Sequence, residues 1–250
     1  MIMNDKETEV SKGLNGKRIV LLGGTSGVGL ATAIAAANEG ANIVVVSSSQ
    51  NRVDNALAAL SPGSEGYTCN LTDEEQVKEL FKRIGEFDHL AFTAGEALQL
   101  MELSTVDIAK AREFFNLRYW GALMTAKYAS LYIRKGGSIT LTTGTAGLRP
   151  WKGWTVAASI TGAVDALTRA LAVELAPIRV NAVCPGVVKT ELWSSMSEAD
   201  QETLFTDIGS KLLTGKVGES DEVAEAYLYL MRGNYTTGQV IVVDGGSVLV

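Results

Sequence analysis

Leu22-Gly23-Gly24-Thr25-Ser26-Gly27-Val28-Gly29 stands directly after an apolar β-rich run, Arg18–Leu22, and opens a helical pattern that continues to Asn38. Strand, glycine-rich turn and helix in that order begin a βαβ unit in which a phosphate-bearing ligand meets the start of the helix. Gly23 permits the tight turn, while Gly27 and Gly29 let the backbone approach a pyrophosphate and the helix pack on the sheet. A glycine pattern alone is weak. The strand before it, the helix after it and the Gly-x-x-x-Gly-x-Gly spacing together make Gly23, Thr25, Ser26, Gly27, Val28 and Gly29 a dinucleotide cradle.

Working outward, short β-rich runs alternate with helical patterns. Strands are expected near Arg18–Leu22, Asn42–Ser47, Gly66–Cys69, His89–Thr93, Ser138–Thr142, Arg179–Val183 and Gln239–Val243. Between them helices are expected near Gly27–Asn38, Val53–Leu60, Glu74–Ile84, Ala109–Arg134, Gly153–Leu175 and Asp221–Met231, with Gly40 stopping the first and Asp73 capping the third. This alternation predicts an α/β three-layer Rossmann fold, a seven-stranded parallel sheet with helices on both faces. One domain spans residues 1–250, and the mixed segment Thr190–Lys216 sits where a substrate lid would sit.

Composition narrows the class. Of 250 residues 46% are hydrophobic and 20% charged, enough for one full core, and a formal charge of -6 leaves no basic footprint for DNA or RNA. Cys69 and Cys184 are far apart with no metal-ligand spacing, so both are expected as buried thiols and no metal is expected. The polar, acidic stretch Met1–Val10 is unlike a signal peptide, and no apolar run of bilayer-spanning length is read. A cytoplasmic protein with a small-molecule substrate, and neither nucleic-acid nor membrane partners, is the expectation.

A ribose-binding acid at the end of the second strand would mark NAD, because a carboxylate accepts from a 2'-hydroxyl and repels a 2'-phosphate. Here Val46-Ser47-Ser48-Ser49-Gln50-Asn51-Arg52 carries no acid before Asp54. Ser48, Ser49 and Arg52 instead suit a phosphate dianion, which favours NADPH (NADP) as cofactor. His89, the only histidine, opens a strand at the end away from the cradle and is read as structural, and Glu74, Glu75, Asp221 and Glu222 as helix-start charges.

The stretch Ala157-Ala158-Ser159-Ile160-Thr161-Gly162-Ala163-Val164-Asp165-Ala166-Leu167-Thr168-Arg169, with Phe92-Thr93-Ala94-Gly95, Pro185-Gly186-Val187-Val188-Lys189-Thr190 and Asp244-Gly245-Gly246, resembles the short-chain dehydrogenase/reductase (SDR) family over essentially the whole chain. The resemblance implies that Asn70 and Leu71 face the adenine, that Thr93, Ala94 and Gly95 let a strand run under the cofactor, and that Pro185, Gly186, Val188 and Thr190 hold the nicotinamide amide. It implies a structural and catalytic role for Asn116, at a kink in the long helix. It also exposes three losses, because the family's Tyr-x-x-x-Lys falls on Ala157 and Thr161 and its catalytic serine on Gly144. Leu22 stands where the family usually has Thr. SDR-like chains usually pair their long helices, so a homodimer or homotetramer is implied.

Alanine and threonine cannot protonate a substrate oxygen as hydride arrives. An iminium carbon, which becomes a neutral amine, needs no such acid. Ala157 and Thr161, at i and i+4, share one helix face and leave an enlarged pocket that Trp151, Trp154 and Trp120 are candidates to fill. Arg118 is the best remaining polar group, and Tyr119 a weaker candidate acid. Gly-Gly-Thr-Ser-Gly, Phe-Thr-Ala, Arg118 and Gly153-Trp154 are together similar to a divergent SDR subgroup of bacterial NADPH-binding dehydrogenases and fungal indole-alkaloid reductases that also steer a Diels-Alder reaction. In the fungal members an arginine matching Arg118 and an aspartate matching Trp151 are implicated, so their full chemistry does not carry over. The readings are an NADPH-dependent reductase, a cofactor-bound cyclase without net redox change, and an NADPH sensor or scaffold.

Overall fold

The computed structural model describes residues 13–96, 101–194 and 196–250. Its strands are β1 (Arg18–Leu22), β2 (Asn42–Ser47), β3 (Glu65–Thr68), β4 (Phe87–Phe92), β5 (Ile133–Thr142), β6 (Arg179–Pro185) and β7 (Val240–Val243). They form one parallel sheet in the order β3-β2-β1-β4-β5-β6-β7. Helices α1 (Gly27–Asn38), α2 (Gln50–Ala59) and α8 (Ser220–Arg232) cover one face, and α3 (Glu74–Ile84), α4 (Ile108–Phe115), α5 (Ala122–Ala129) and α6 (Thr155–Glu174) the other. Helix α7 (Glu198–Gly209) carries a small satellite core through Ile208, with Leu212 and Val217 beyond it.

The expected seven-stranded sheet is present, and at its centre β1 and β2 carry the continuous runs Ile19–Leu22 and Ile43–Val46 of Ile, Val and Leu that burial on both faces requires. Ile19, Leu21, Val45 and Ala91 turn to α1 and α8, and their neighbours Val20, Leu22, Val44 and Leu90 to α3 and α6. Asp73 caps α3 by accepting from the Gln76 N–H at 3.1 Å, and Gly40 ends α1 at φ +84°.

Three expectations change. The single helix over Ala109–Arg134 is two helices joined by a π-helical turn, Asn116–Gly121, and it ends at Ala129, since Ile133 already pairs with Phe87 in the sheet. Gly121 lies at that turn because Leu71 O approaches to 2.9 Å of where its Cβ would be. The segment 190–216 holds α7, whose pattern is too mixed to read locally. Finally, α6 is long and apolar enough to cross a bilayer by length and composition, contrary to the sequence reading. Its apolar residues Ile160, Val164, Leu167 and Leu171 are spent on the sheet instead. Met1–Val10 lies outside the described residues.

His89 is structural in position. It is buried in β4 with Nδ1 2.9 Å from Ser138 Oγ, and burial pushes its imidazole down to about 4, with Asp88 opposing and Arg179 and Lys17 adding to the shift. Since an unfolded His takes its proton near pH ~6.5 and this one only near 4, the unfolded chain binds more protons in between. Stability is therefore full above that window and lost as pH falls through it, by about 2 kcal/mol between pH ~7 and ~5. Urea unfolding at the two pH values measures this, and His89→Gln should flatten the difference.

Candidate active site

The order of the sheet reverses between β1 and β4, which is where open parallel sheets hold ligands at their carboxyl ends. A cleft of about 570 Å³ lies there. Its floor is the glycine-rich turn. Gly23 has φ +87°, and a Cβ on it would lie 2.5 Å from Ala94 N; a Cβ on Gly29 would overlap Gly23 O and Thr93 Oγ1. The tie that a family threonine at position 22 would supply comes from Thr93, whose N–H and hydroxyl both donate to Leu22 O, at 2.8 and 3.1 Å.

The cradle fits a pyrophosphate by its donors. Helix α1 has no acid in its first turn, and the Ser26 side chain makes no cap hydrogen bond, so the first-turn N–H groups of Gly27, Val28 and Gly29 keep their hydrogens for a ligand. Thr25 and Ser26 line the same wall. At the adenosine end Ser48, Arg52, Asn70 and Leu71 line the cleft. Asn70 Oδ1 accepts from Thr72 N–H and hydroxyl, leaving its NH2 group as a donor. Ser49 is the exception among the expected cofactor residues: it is the N-cap of α2 and does not line the cleft. Thr93, Ala94, Gly95, Pro185, Gly186, Val188 and Thr190 complete the wall. Thr190 Oγ1 accepts from Leu192 N–H, capping the 3-10 turn Glu191–Trp193.

At the other end of the cleft, Ala157, Ile160 and Thr161 present one face of α6, with Gly144 opposite. No tyrosine, lysine or histidine lines the cleft among the described residues. Tyr227 reaches Thr142 Oγ1 from behind the wall, but complete burial raises its phenol well above the ordinary range. Cys69 lines the cleft as a thiol pushed up to about 11 by burial, and Cys184, also buried, is pushed up to about 12. Neither supplies a thiolate near neutral pH.

Of the three expected catalytic residues only Arg118 enters the cleft. Phe114, Leu117 and Arg118, at i, i+3 and i+4, form the inner face there, so Asn116 and Tyr119 point elsewhere. Asn116 is exposed at the head of the π-helical turn, which matches a kink but not a site contact. The Tyr119 ring packs edge-on against Trp120 and Phe115, at 4.9 and 6.4 Å between centroids. Trp120 and Trp151 are both half exposed, Trp151 lying tilted against Trp154 at 5.0 Å between ring centroids, so of the three expected tryptophans Trp154 alone lines the cleft.

Two carboxylates were not foreseen. Glu96 Oε2 accepts from Arg118 Nε at 3.1 Å, and Glu96 O accepts from Arg118 Nη2 at 2.6 Å, so the guanidinium is clamped against Gly95 and over the Phe114 ring. Burial lowers the Arg118 pKa and Glu96 opposes that, which leaves the guanidinium charged. Glu191 Oε2 lies 3.6 Å from Arg52 Nη2 across the adenosine end. Glu96 follows directly on Ala94-Gly95 and Glu191 on Thr190, so their neighbours in sequence were the only available signal.

The model of the SDR-like Rossmann domain matches residues 11–250. This chain is a member of the SDR family. Among its relatives is the short-chain dehydrogenase/reductase ATR9 of Stachybotrys chlorohalonatus (strain IBT 40285), 41% identical over 94% of this chain and 98% of that protein. The short-chain dehydrogenase/reductase malC of Malbranchea aurantiaca is 31% identical over 94% and 96%. Among solved structures, a small-chain dehydrogenase in complex with NADPH is 35% identical, with TM-score 0.81, over 94% of this chain and all of that one. The MalC reductase/Diels-Alderase structure, at 31% identity, gives TM-score 0.88 over 95% and 98%.

Proposed function

We propose that this SDR protein is an NADPH-dependent reductase whose site takes an iminium, which accepts hydride to give a neutral amine and needs no proton, or an activated carbonyl whose alkoxide takes its proton from water. One observation carries the reading: the cleft leaves room beside Gly144, Ala157 and Thr161, and no tyrosine, lysine or histidine lines it among the described residues. NADPH, when bound, supplies the hydride. The chain's own part is to hold the pyrophosphate on the α1 N-terminus, to meet the 2'-phosphate with Arg52 and Ser48, and to exclude water with Phe114, Leu117, Ile160 and Trp154. Arg118, fixed by Glu96, orients the polar part of the substrate. The NADPH complex of a relative and the absence of an acid before Asp54 support the cofactor.

The test is consumption of NADPH with N-methyl-3,4-dihydroisoquinolinium against a simple ketone such as cyclohexanone. Oxidation of NADPH with the cation and not the ketone is the expected result, and equal turnover of both sinks the reading. The name of the MalC neighbour supports a second reading, cyclisation without net redox change, which is identified by product formed while NADPH stays constant. If neither redox nor product appears with bound cofactor, a sensor or scaffold role gains.

A cytoplasmic homo-oligomer belongs to the same proposal. An apolar groove between α4 and α6, lined by Ile108, Ala111, Phe115 and Val156, supports pairing of these helices. Sedimentation at micromolar concentration is expected to give a dimer or tetramer, and a monomer contradicts it.

A further inference from the structure

We infer that Glu191 is a cofactor-specificity residue: its carboxylate competes with the 2'-phosphate for Arg52, and so holds down the discrimination between phosphorylated and unphosphorylated dinucleotide. The inference rests on the cofactor assignment above and concerns a residue outside the family motifs that the sequence carries.

The Arg52–Glu191 pair joins the first turn of α2 to the 3-10 turn after β6, at 3.6 Å, and both residues line the cleft. The cleft has only two cations among its described lining residues. Arg118 is committed to Glu96 at the far end, so Arg52 alone remains to meet a phosphate. Glu191 is not on a free loop tip. Thr190 lies 3.3 Å from the Cβ position of Gly27, Thr190 Oγ1 caps the turn, and Trp193 Nε1 donates to Val188 O at 3.0 Å. These ties place the carboxylate on the Arg52 side of the cleft.

Both side chains are 60% exposed, so the pair itself contributes little to stability. A phosphate dianion, with twice the charge and a geometry suited to the guanidinium fork, displaces the carboxylate readily. Glu191 then stays beside the dianion as an uncompensated like charge. Two neutral ribose hydroxyls raise no such conflict. The opposing charge therefore falls on NADPH and spares NADH, as a repulsive element in specificity does.

The experiment measures dissociation constants of NADPH and NADH by fluorescence titration for the wild type, Glu191→Gln, Arg52→Gln and the double variant. Each substitution is at an exposed position, and a thermal melt checks folding. Glu191→Gln should tighten NADPH about three- to tenfold, the size of a screened like-charge contact, and leave NADH within about twofold. In the Arg52→Gln background the same change should also tighten NADPH, since the repulsion remains, but by less, because no guanidinium is left to release. Equal shifts for both cofactors, no shift, or weaker NADPH binding in Glu191→Gln overturn the inference. A wild type without cofactor preference, in which Glu191→Gln creates one, keeps the inference and overturns the cofactor assignment. A wild type that prefers NADPH and ignores Glu191→Gln does the reverse.

Discussion

Gly29→Ala should abolish measurable NADPH binding and destabilise the fold by about 2–4 kcal/mol, the range of severe overpacking against backbone. The added Cβ would overlap Gly23 O and Thr93 Oγ1. Neither can retreat. Gly23 is tied by its N–H to Val46 O at 2.9 Å, and Thr93 is tied to Leu22 O by two hydrogen bonds, so relief requires opening the turn that presents the α1 N–H groups. Gly162→Ala, on α6 with nothing within 4 Å of its Cβ position, is the control. There the helix interior should gain about 0.5–1 kcal/mol from the lost flexibility of glycine. Urea unfolding and cofactor titration of both variants separate a steric effect at Gly29 from a general intolerance of substitution at glycine.

The contrast between these two glycines also shows what a sequence makes legible. Gly29 belongs to a spacing fixed by a strand before it and a helix after it, so its role is readable from local order. The alternation of β-rich and helical runs is equally local, and Asp73 and Gly40 were readable because caps act within one turn. The break at Asn116–Gly121 was legible only through the family resemblance, which puts a kink at Asn116; no local pattern marks it, and Leu71 O, from the loop after β3, comes within 2.9 Å of the Gly121 Cβ position. Helix α7 was missed because its apolar side meets a small satellite core and not the sheet. At the site, residue types in family positions marked residues that line the cleft, Ser49 excepted. What holds Arg118 was invisible, since Glu96 lies 22 residues earlier and is brought to it only by the β4 end and the π-helical turn. Asn116 and Tyr119 lie outside the cleft lining for the complementary reason: adjacent helix positions point in different directions, and the face is chosen by tertiary packing.

Writing the three family groups back together, as Gly144→Ser, Ala157→Tyr and Thr161→Lys, should raise reduction of a simple ketone by about 10²–10⁴-fold over the wild type, the usual contribution of a positioned acid. The cleft has space for them. The backbone at Gly144 is extended, at φ -177°, which any residue adopts, and a Cβ there makes an ordinary contact of 3.5 Å with Thr161 Cγ2. Positions 157 and 161 lie one turn apart on α6 and both face the cleft, so the new phenol and ammonium would share its wall. The lysine is needed to lower the phenol's pKa and the serine to orient the substrate oxygen, so each single replacement should gain little, because groups that act as a unit are strongly non-additive. The same variant should lose activity toward a cationic substrate, since the added ammonium places a like charge in a cleft where only Glu96 offsets Arg118. Opposite changes for the ketone and the cation, measured by NADPH consumption with cofactor affinity held within a few-fold, are the expected signature. Unchanged ketone reduction in a folded, cofactor-bound triple variant would mean that the substrate end of this cleft does not hold a carbonyl over the nicotinamide at all.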